Sequence, residues 1–434
     1  MVIILNHRYN IEMNKNRFFK LSKAVFSLLL ISRILFSCKT TDVESKKFFT
    51  HKSKHNELQI VLLGDVMAHT GNFLMKDYDI IWDGIRDLTS TSDFTFANIE
   101  APVSNDIPFM NYPNFNMQYS YPQAAIDAGV NVMTVANNHT NDQFEAGIKS
   151  TYKWTKEIEA KYKDTQRPVY FSGLKENVTS LKDAAKSPYS YAYFEKNGIK
   201  ILFFGATQIL NTPSCNQMIN FFPGTEEGRQ NLITTVKNLK SKHPCDVFIL
   251  GLHCEEPEYV LEISKTQKKL YKELLDSGVD ILWANHPHTP KPIEWITDPK
   301  DGKLKKIILY ANGNTISSQR YRPNFSNPAS MREYTGDGFL VQLQLIKTKN
   351  GIIIENAKLN FITNIVDENK NILIKKLNKD LYDQLDSSGN SQLKNYLKKR
   401  EELLKQRKLK LKQLKDATKE AKKEYKSKIK KFKF

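Results

Sequence analysis

Five stretches of this chain run from apolar, β-leaning residues straight into side chains that ligate metals or move protons. LQIVLLGD ends at Asp65, DFTFANIE at Asn98 and Glu100, and VNVMTVANNHTND at Asn138, His139 and Asp142. DVFILGLH ends at His253, and VDILWANHPH at His286 and His288. A polar residue closing one strand is ordinarily a cap or turn former. Strand ends that together supply carboxylate, amide and imidazole make a ligand set that folding alone does not require. These ligands suit Zn, Mn or Fe, and a carboxylate able to bridge two cations is the centre of a two-metal site.

Such side chains converge only if the strands that carry them lie parallel, with their carboxyl ends at one edge. The pattern from Leu58 onward predicts this: apolar runs alternate with amphipathic ones near Asp79 to Leu88, Gln123 to Ala128 and Ile148 to Tyr162. VYFSG, YSYAYFE and IKILFFG follow more closely together, which predicts antiparallel pairing in a second sheet. Helices near Glu227 to Ser241 and up to Ser277, stopped by Gly278, restore the alternation. KKIILYANGN, GFLVQLQLI and IIIENAKLNF read as late strands. The class is α/β, with no internal repeat at a fixed period.

With 434 residues and 40% hydrophobic content the chain can bury a sizeable core. Its net charge of +18 is unevenly placed. From Ser391 onward there are 18 Lys or Arg against 5 Asp or Glu, so this tail supplies +13 and everything before it +5. At the amino end, Lys15, Arg17, Lys20 and Lys23 precede AVFSLLLISRILFSC, the charged-then-apolar form of a secretory signal. That run is too short to favour a permanent transmembrane span. It closes in Leu35-Phe36-Ser37-Cys38, which resembles a bacterial lipobox and implies Cys38 as the acylated residue; the alternative is an uncleaved amino-terminal anchor. Either arrangement puts the remainder outside the cytoplasm, bound to the cell envelope, and disfavours nucleic acid as a partner. Lys39 to Lys54 is polar and charged and reads as a tether. Cys215, Cys245 and Cys254 remain, an odd number; a Cys215–Cys245 bridge is open, and Cys254 reads as a small core residue.

GDVM, NIE, NNHTND, the His253 strand end, NHPH with KPIEWI, and LYANGN stand in the order and spacing of the CapA family, the poly-γ-glutamate capsule synthesis type. The domain of that family is similar to the calcineurin-like metallophosphoesterases, and the resemblance covers Leu58 to Ile346. It implies a four-layer α/β/β/α sandwich with a two-metal cleft, and a part in making or exporting an anionic surface polymer. By position it implies Glu100 as the bridging carboxylate, Asp65 and His288 on one metal, and Asn138, His253 and His286 on the other. His139, oriented by Asp142, would be the proton donor or charge stabiliser. Three positions depart from the pattern. Met67 stands where phosphoesterases place a His, Asn285 where another His is usual, and the acidic residue after His253 is ambiguous between Glu256 and Glu258. His69 either substitutes as a ligand or is simply solvated. Arg320 and Arg322 either grip an anionic group or lie in a solvated loop.

The resulting division is a signal or lipoprotein segment at 1–38, a tether at 39–57, the metallophosphatase-type domain at 58–346, peripheral strands and linker at 347–390, and a basic amphipathic helix at 391–434. In the last, Leu397, Leu404, Leu411, Thr418, Tyr425 and Phe432 form one lane at seven-residue spacing. The companion lane, Arg400, Arg407, Leu414, Ala421 and Lys428, is half charged. This pattern predicts an exposed basic helix that docks on a polyanion or acidic lipid headgroups, against the alternative of a solvated helix extending the domain. Two functions fit: a metal-dependent hydrolase or transferase acting on a polymer, its lipid precursor or a phosphoester, the last unrelated to capsule, and a non-catalytic polymer-binding or export component on the same fold.

Overall fold

A computed structural model describes residues 53–406. Cys38, the signal segment, nearly all of the tether and the tail from 407 lie outside the described residues.

The chain lays down β1 (Glu57–Val66), β2 (Phe94–Ile99), β3 (Val132–Thr134) and β4 (Tyr170–Ser172), then β5 (Ala192–Lys196), β6 (Ile199–Thr207), β7 (Val247–His253), β8 (Ile281–Asn285), β9 (Ile293–Thr297) and β10 (Leu304–Leu309). It closes with β11 (Asn314–Ile316), β12 (Asp337–Thr348), β13 (Gly351–Val366) and β14 (Ile372–Lys376). The first sheet has the order β14-β13-β12-β1-β2-β3-β4, with β11 beside β1; the second has the order β5-β6-β7-β8-β10-β9. In the first sheet β1 to β4 run parallel, as do β6, β7, β8 and β10 in the second. The central strands are apolar on both faces because both faces are covered.

Three apolar layers result. Between the sheets, Ile60 and Leu62 of β1 meet Phe203, Ile249, Trp283 and Leu309. On the outer face of the first sheet Val61, Leu63, Met133 and Phe171 pack against α1 (Ser120–Asp127) and α2 (Phe144–Tyr162), which contribute Ala125, Ile148 and Trp154. On the outer face of the second, Phe204, Leu250 and Leu282 pack against α3 (Glu226–Lys242) and α4 (Lys265–Asp276) through Val236, Leu270 and Leu274. This is the expected four-layer α/β/β/α sandwich.

Several sequence expectations need correction. The spacing of VYFSG predicts a place in the second sheet, but Tyr170–Ser172 pairs in parallel with Val132–Thr134 and ends the first. Residues 347–390 read as peripheral strands and linker. β13 and β14 do lie toward one edge, yet Ile362 and Ile374 are fully buried, and α5 (Lys379–Ser387) buries Leu381, Tyr382 and Leu385. The helix that begins at 391 and continues at least to 406 is not simply exposed: Tyr396, Leu397 and Leu404 sit in the layer between the sheets. Arg400 is fully buried against Asp337, with Nε 2.7 Å from Oδ2 and its guanidinium 3.9 Å from the centre of the Tyr334 ring. Over these turns the lane's partner is the domain itself, through Leu397 and Leu404.

Candidate functional site

Because the strands run parallel, their carboxyl ends meet at one edge of each sheet, and the two edges face each other. β1 delivers Asp65; β2 ends at Ile99, so Glu100 follows it; β7 ends on His253; β8 ends on Asn285, with His286 and His288 just beyond. Close packing of the loop after β10 fixes the first of these. A Cβ at Gly64 would fall 1.8 Å from the Gly313 carbonyl oxygen, which instead accepts the Asp65 N–H at 3.2 Å. Gly313 itself has φ +75°, where a side chain is strained.

Asp65, Glu100, Asn138, His139, Asp142, His253, His286 and His288 are all buried here, none more than 4% exposed. Glu100 Oε1 lies 3.6 Å from His253 Nε2 and 3.6 Å from His288 Nε2. His288 Nδ1 is 3.4 Å from Asp65 Oδ2, and His253 Nε2 is 2.8 Å from Asn138 Oδ1. The His286 ring sits 4.9 Å from that of His253. Potential ligand atoms within 4.8 Å of one another form two groups, Glu100 with His286 and His288, and Asp65 with Glu100 and His253. Glu100 is common to both. His286 falls in the group with Glu100 and His288, its ring also near that of His253, and the Asp65–His288 contact is present.

The backbone is strained at this point. His286 has φ +104° and His288 φ +53°, values that L residues with bulky side chains rarely adopt. Buried polar atoms are also left over: Glu100 Oε1 and His286 Nδ1 have no hydrogen-bond partner. A buried carboxylate oxygen without a donor is costly unless a cation or proton satisfies it. Burial raises the Glu100 pKa well above its usual range, and the Asp65 and Glu258 charges add to the shift. Burial lowers His253 far below the usual imidazole value and takes His286 to about 3, helped in each case by neighbouring histidines. For His288, burial opposes protonation, but the hydrogen bond and charge of Asp65 outweigh it and the pKa rises. His253 and His286 are therefore held as neutral imidazoles, the form that binds a divalent cation, whereas Glu100 favours its proton and would release it to one.

Beside this cluster, His139 Nδ1 lies 2.6 Å from Asp142 Oδ2. Asp142 also accepts the Phe115 N–H at 2.7 Å, and the Phe115 ring meets the His139 ring edge-on at 4.7 Å. With the Nδ1 proton held by Asp142, Nε2 is left to exchange a proton.

The ambiguous acidic residue resolves by burial and charge. Glu256 is buried in an ion pair with Lys291 at 2.9 Å, whereas the Glu258 charge reaches Glu100 and His288. Met67 is buried in the apolar layer under the first sheet and supplies no ligand. Asn285 is buried with neither side-chain polar atom partnered. His69 is half-buried, held neutral by burial with a pKa lowered to about 3, to which the His288 and His139 charges contribute. Arg320 grips no external group, since it is buried on Asp337 at 2.7 Å with further bonds to Thr363 and Asn364; Arg322 is exposed. Cys215, Cys245 and Cys254 are all free thiols, and burial takes Cys254 to about 12.

Four amides belong to the site: sequence reasoning counted Asn98 among the strand-end ligands and gave the other three no role. Asn98 Nδ2 donates to Asp65 Oδ1 at 2.8 Å, and Asn137 Nδ2 donates to the Ile99 carbonyl at 2.8 Å. Asn211 Nδ2 donates to Asp142 Oδ1 at 3.4 Å, and Asn314 Oδ1 lies 3.0 Å from His288 Nδ1. Asn98, Asn137 and Asn314 stood inside quoted motifs. Asn211 follows a strand end, that of β6, with no His or acid to mark it.

Among the described residues no helix is long and apolar enough to cross a membrane. The chain is 24% identical over 347 residues to the capsule biosynthesis protein CapA of Bacillus anthracis, covering 76% of this chain and 75% of that protein. It is 23% identical over 302 residues to the PGA biosynthesis protein CapA of Bacillus subtilis (strain 168), covering 68% and 69%. A solved hypothetical protein from Thermus thermophilus aligns with a TM-score of 0.39 at 15% identity, covering 70% of this chain and 98% of that one. The calcineurin-like phosphoesterase YfkN from Bacillus subtilis aligns with a TM-score of 0.35 at 12% identity, covering 79% and 99%. The family profile described as bacterial capsule synthesis protein PGA_cap matches residues 59–319, more than half of the chain, and the chain therefore belongs to that family.

Proposed function

We propose that this protein acts outside the cytoplasm in the synthesis or export of an anionic surface polymer of the poly-γ-glutamate type, through a metal-dependent, hydrolase-like site. Family membership and the two CapA relatives support the capsule role. The observation that carries the metal-site reading is Glu100 Oε1, buried without a hydrogen-bond partner and 3.6 Å from both His253 Nε2 and His288 Nε2. The donor set fits one or two divalent ions of the Mn, Zn or Fe kind, held by Glu100, His286 and His288 and by Asp65, Glu100 and His253, with Asn138 beside His253. A bound ion there would polarise a carbonyl or phosphoryl oxygen and lower the pKa of water. The chain's own part is proton transfer by His139, whose tautomer Asp142 holds, and orientation of the Asp65 carboxylate by Asn98 and of the His288 ring by Asn314. Attachment to the envelope would come from a lipid on Cys38, and contact with acidic polymer or headgroups from the basic residues beyond 406.

A second reading, a polymer-binding or export component without turnover, is favoured by Met67 and Asn285, which leave two expected ligand positions without an imidazole. Total metal analysis of the purified full chain, beside Glu100→Ala, tests the first reading. Bound divalent metal lost in the variant, together with cleavage of poly-γ-glutamate or a simple phosphodiester, supports it. A wild-type chain that takes up no metal from Mn, Zn or Fe solutions would sink it.

A further inference from the structure

His69 sits where β1 leaves the sheet, four residues past Asp65. Its position is not that of a loose loop residue. The His69 carbonyl accepts the N–H groups of Asn72 at 3.2 Å and Phe73 at 2.8 Å, so a tight turn fixes its backbone. Its ring meets Phe115 edge-on at 5.1 Å and 82°. Phe115 is the same ring that meets His139 at 84°, so one aromatic side chain sets the places of two imidazoles.

The hydrogen bonding assigns the tautomer. His69 Nδ1 lies 3.4 Å from the Ser318 N–H, which can only donate, so in the neutral ring the proton is on Nε2. Through Phe115 the ring is one side chain removed from His139, and the charges of both His288 and His139 act on it, so it stands near the candidate metal ligands and the candidate proton donor. It belongs to neither group of ligand atoms within 4.8 Å. Serving as a ligand through Nε2 would move the proton to Nδ1, against the Ser318 N–H. The ring is better suited to donate a hydrogen bond than to hold an ion.

We propose that His69 is a substrate-binding residue whose Nε2–H donates to an anionic oxygen, phosphoryl or carboxylate, of a molecule bound at the candidate site near His288 and His139. A fixed neutral donor stabilises negative charge there without repelling a cation on the neighbouring histidines. The inference rests on the metal-site reading above.

The test uses the full chain loaded with Mn²⁺, and measures by calorimetry the binding of inorganic phosphate and, separately, of acetate. His69→Ala should weaken one or both anions by about tenfold or more, as expected for a lost hydrogen bond to a charged group. Its metal content should equal wild type, and His69→Gln, which keeps an N–H at similar reach, should recover most of the affinity. Loss confined to phosphate assigns a phosphoryl oxygen, and loss confined to acetate a carboxylate. Unchanged binding of both anions by His69→Ala, with metal retained, overturns the role of His69 and leaves the metal site standing. Loss of metal in His69→Ala also overturns it, by making His69 a ligand. If the wild-type chain holds no metal, the metal-site reading fails and this inference with it.

Discussion

His253 Nε2 lies 2.8 Å from Asn138 Oδ1, and this contact joins the end of a strand in one sheet to the turn after a strand in the other. The site is thus built across the seam of the sandwich, and neither sheet contains it alone. His253→Ala should reduce divalent metal affinity by about tenfold or more while leaving the fold intact, since the imidazole contacts polar groups at the seam. Circular dichroism with metal titration checks this, and wild-type affinity in the variant would remove His253 from the ligand set.

Glu100 makes a distinct prediction because its pKa lies above the usual value of 4.5. A carboxyl with a raised folded pKa contributes stability below the unfolded value, and that contribution is lost as pH rises through the folded one. The metal-free protein should therefore lose stability between about pH 4.5 and neutrality, and metal-free Glu100→Gln should lose less. Metal binding near neutral pH should release protons, visible as a dependence of calorimetric heat on buffer ionisation enthalpy. Identical heats in phosphate and Tris buffers would argue against a raised Glu100.

His139 and Asp142 should act as one unit. Asp142→Asn removes the acceptor that holds Nδ1 and should lower any turnover by about 10²- to 10⁴-fold, the usual range for a positioned acid or base. Metal content should not change. Turnover within threefold of wild type would show that the pair only braces Phe115.

The carboxyl-terminal residues divide at the end of the described helix. Deletion from 391 removes Tyr396, Leu397, Arg400 and Leu404 from buried positions and should prevent stable folding. Deletion from 407 should leave the melting temperature unchanged while weakening, and making less salt-sensitive, binding to poly-γ-glutamate or anionic vesicles. Arg400→Ala alone should cost about 3–5 kcal/mol, as for a broken buried ion pair. An unchanged salt slope after deletion from 407 would show that these basic residues do not recognise polyanions.

Much of the candidate site was legible because each candidate ligand follows an apolar run of strand length, and parallel strands bring such ends together without further information. The grouping of these candidates was less accessible. Nothing in NHPH announces that His286 takes φ +104° or that its ligand atoms fall with those of Glu100 and His288. Charge misled in the tail. Arg400 in a half-charged lane reads as solvent-facing, because its counterion, Asp337, is 63 residues away and belongs to no local period. Arg320 misled in the same way, its guanidinium being spent on that same carboxylate. Burial alone would push the Asp337 pKa up, but the two arginines more than reverse this and hold it below the usual carboxylate range.

The Asp337–Arg400 pair also bears on how the protein is made. Asp337 opens β12, the strand beside β1 near the middle of the first sheet, and its second cation is delivered only when residue 400 has been synthesised. Leu397 and Leu404 fill the layer between the sheets at the same late stage. A nascent chain stopped before this helix therefore carries the whole candidate site but not its finished core. It should be digested by protease where a chain extended past 406 resists, so the helix at 391–406 must be made before the domain can close.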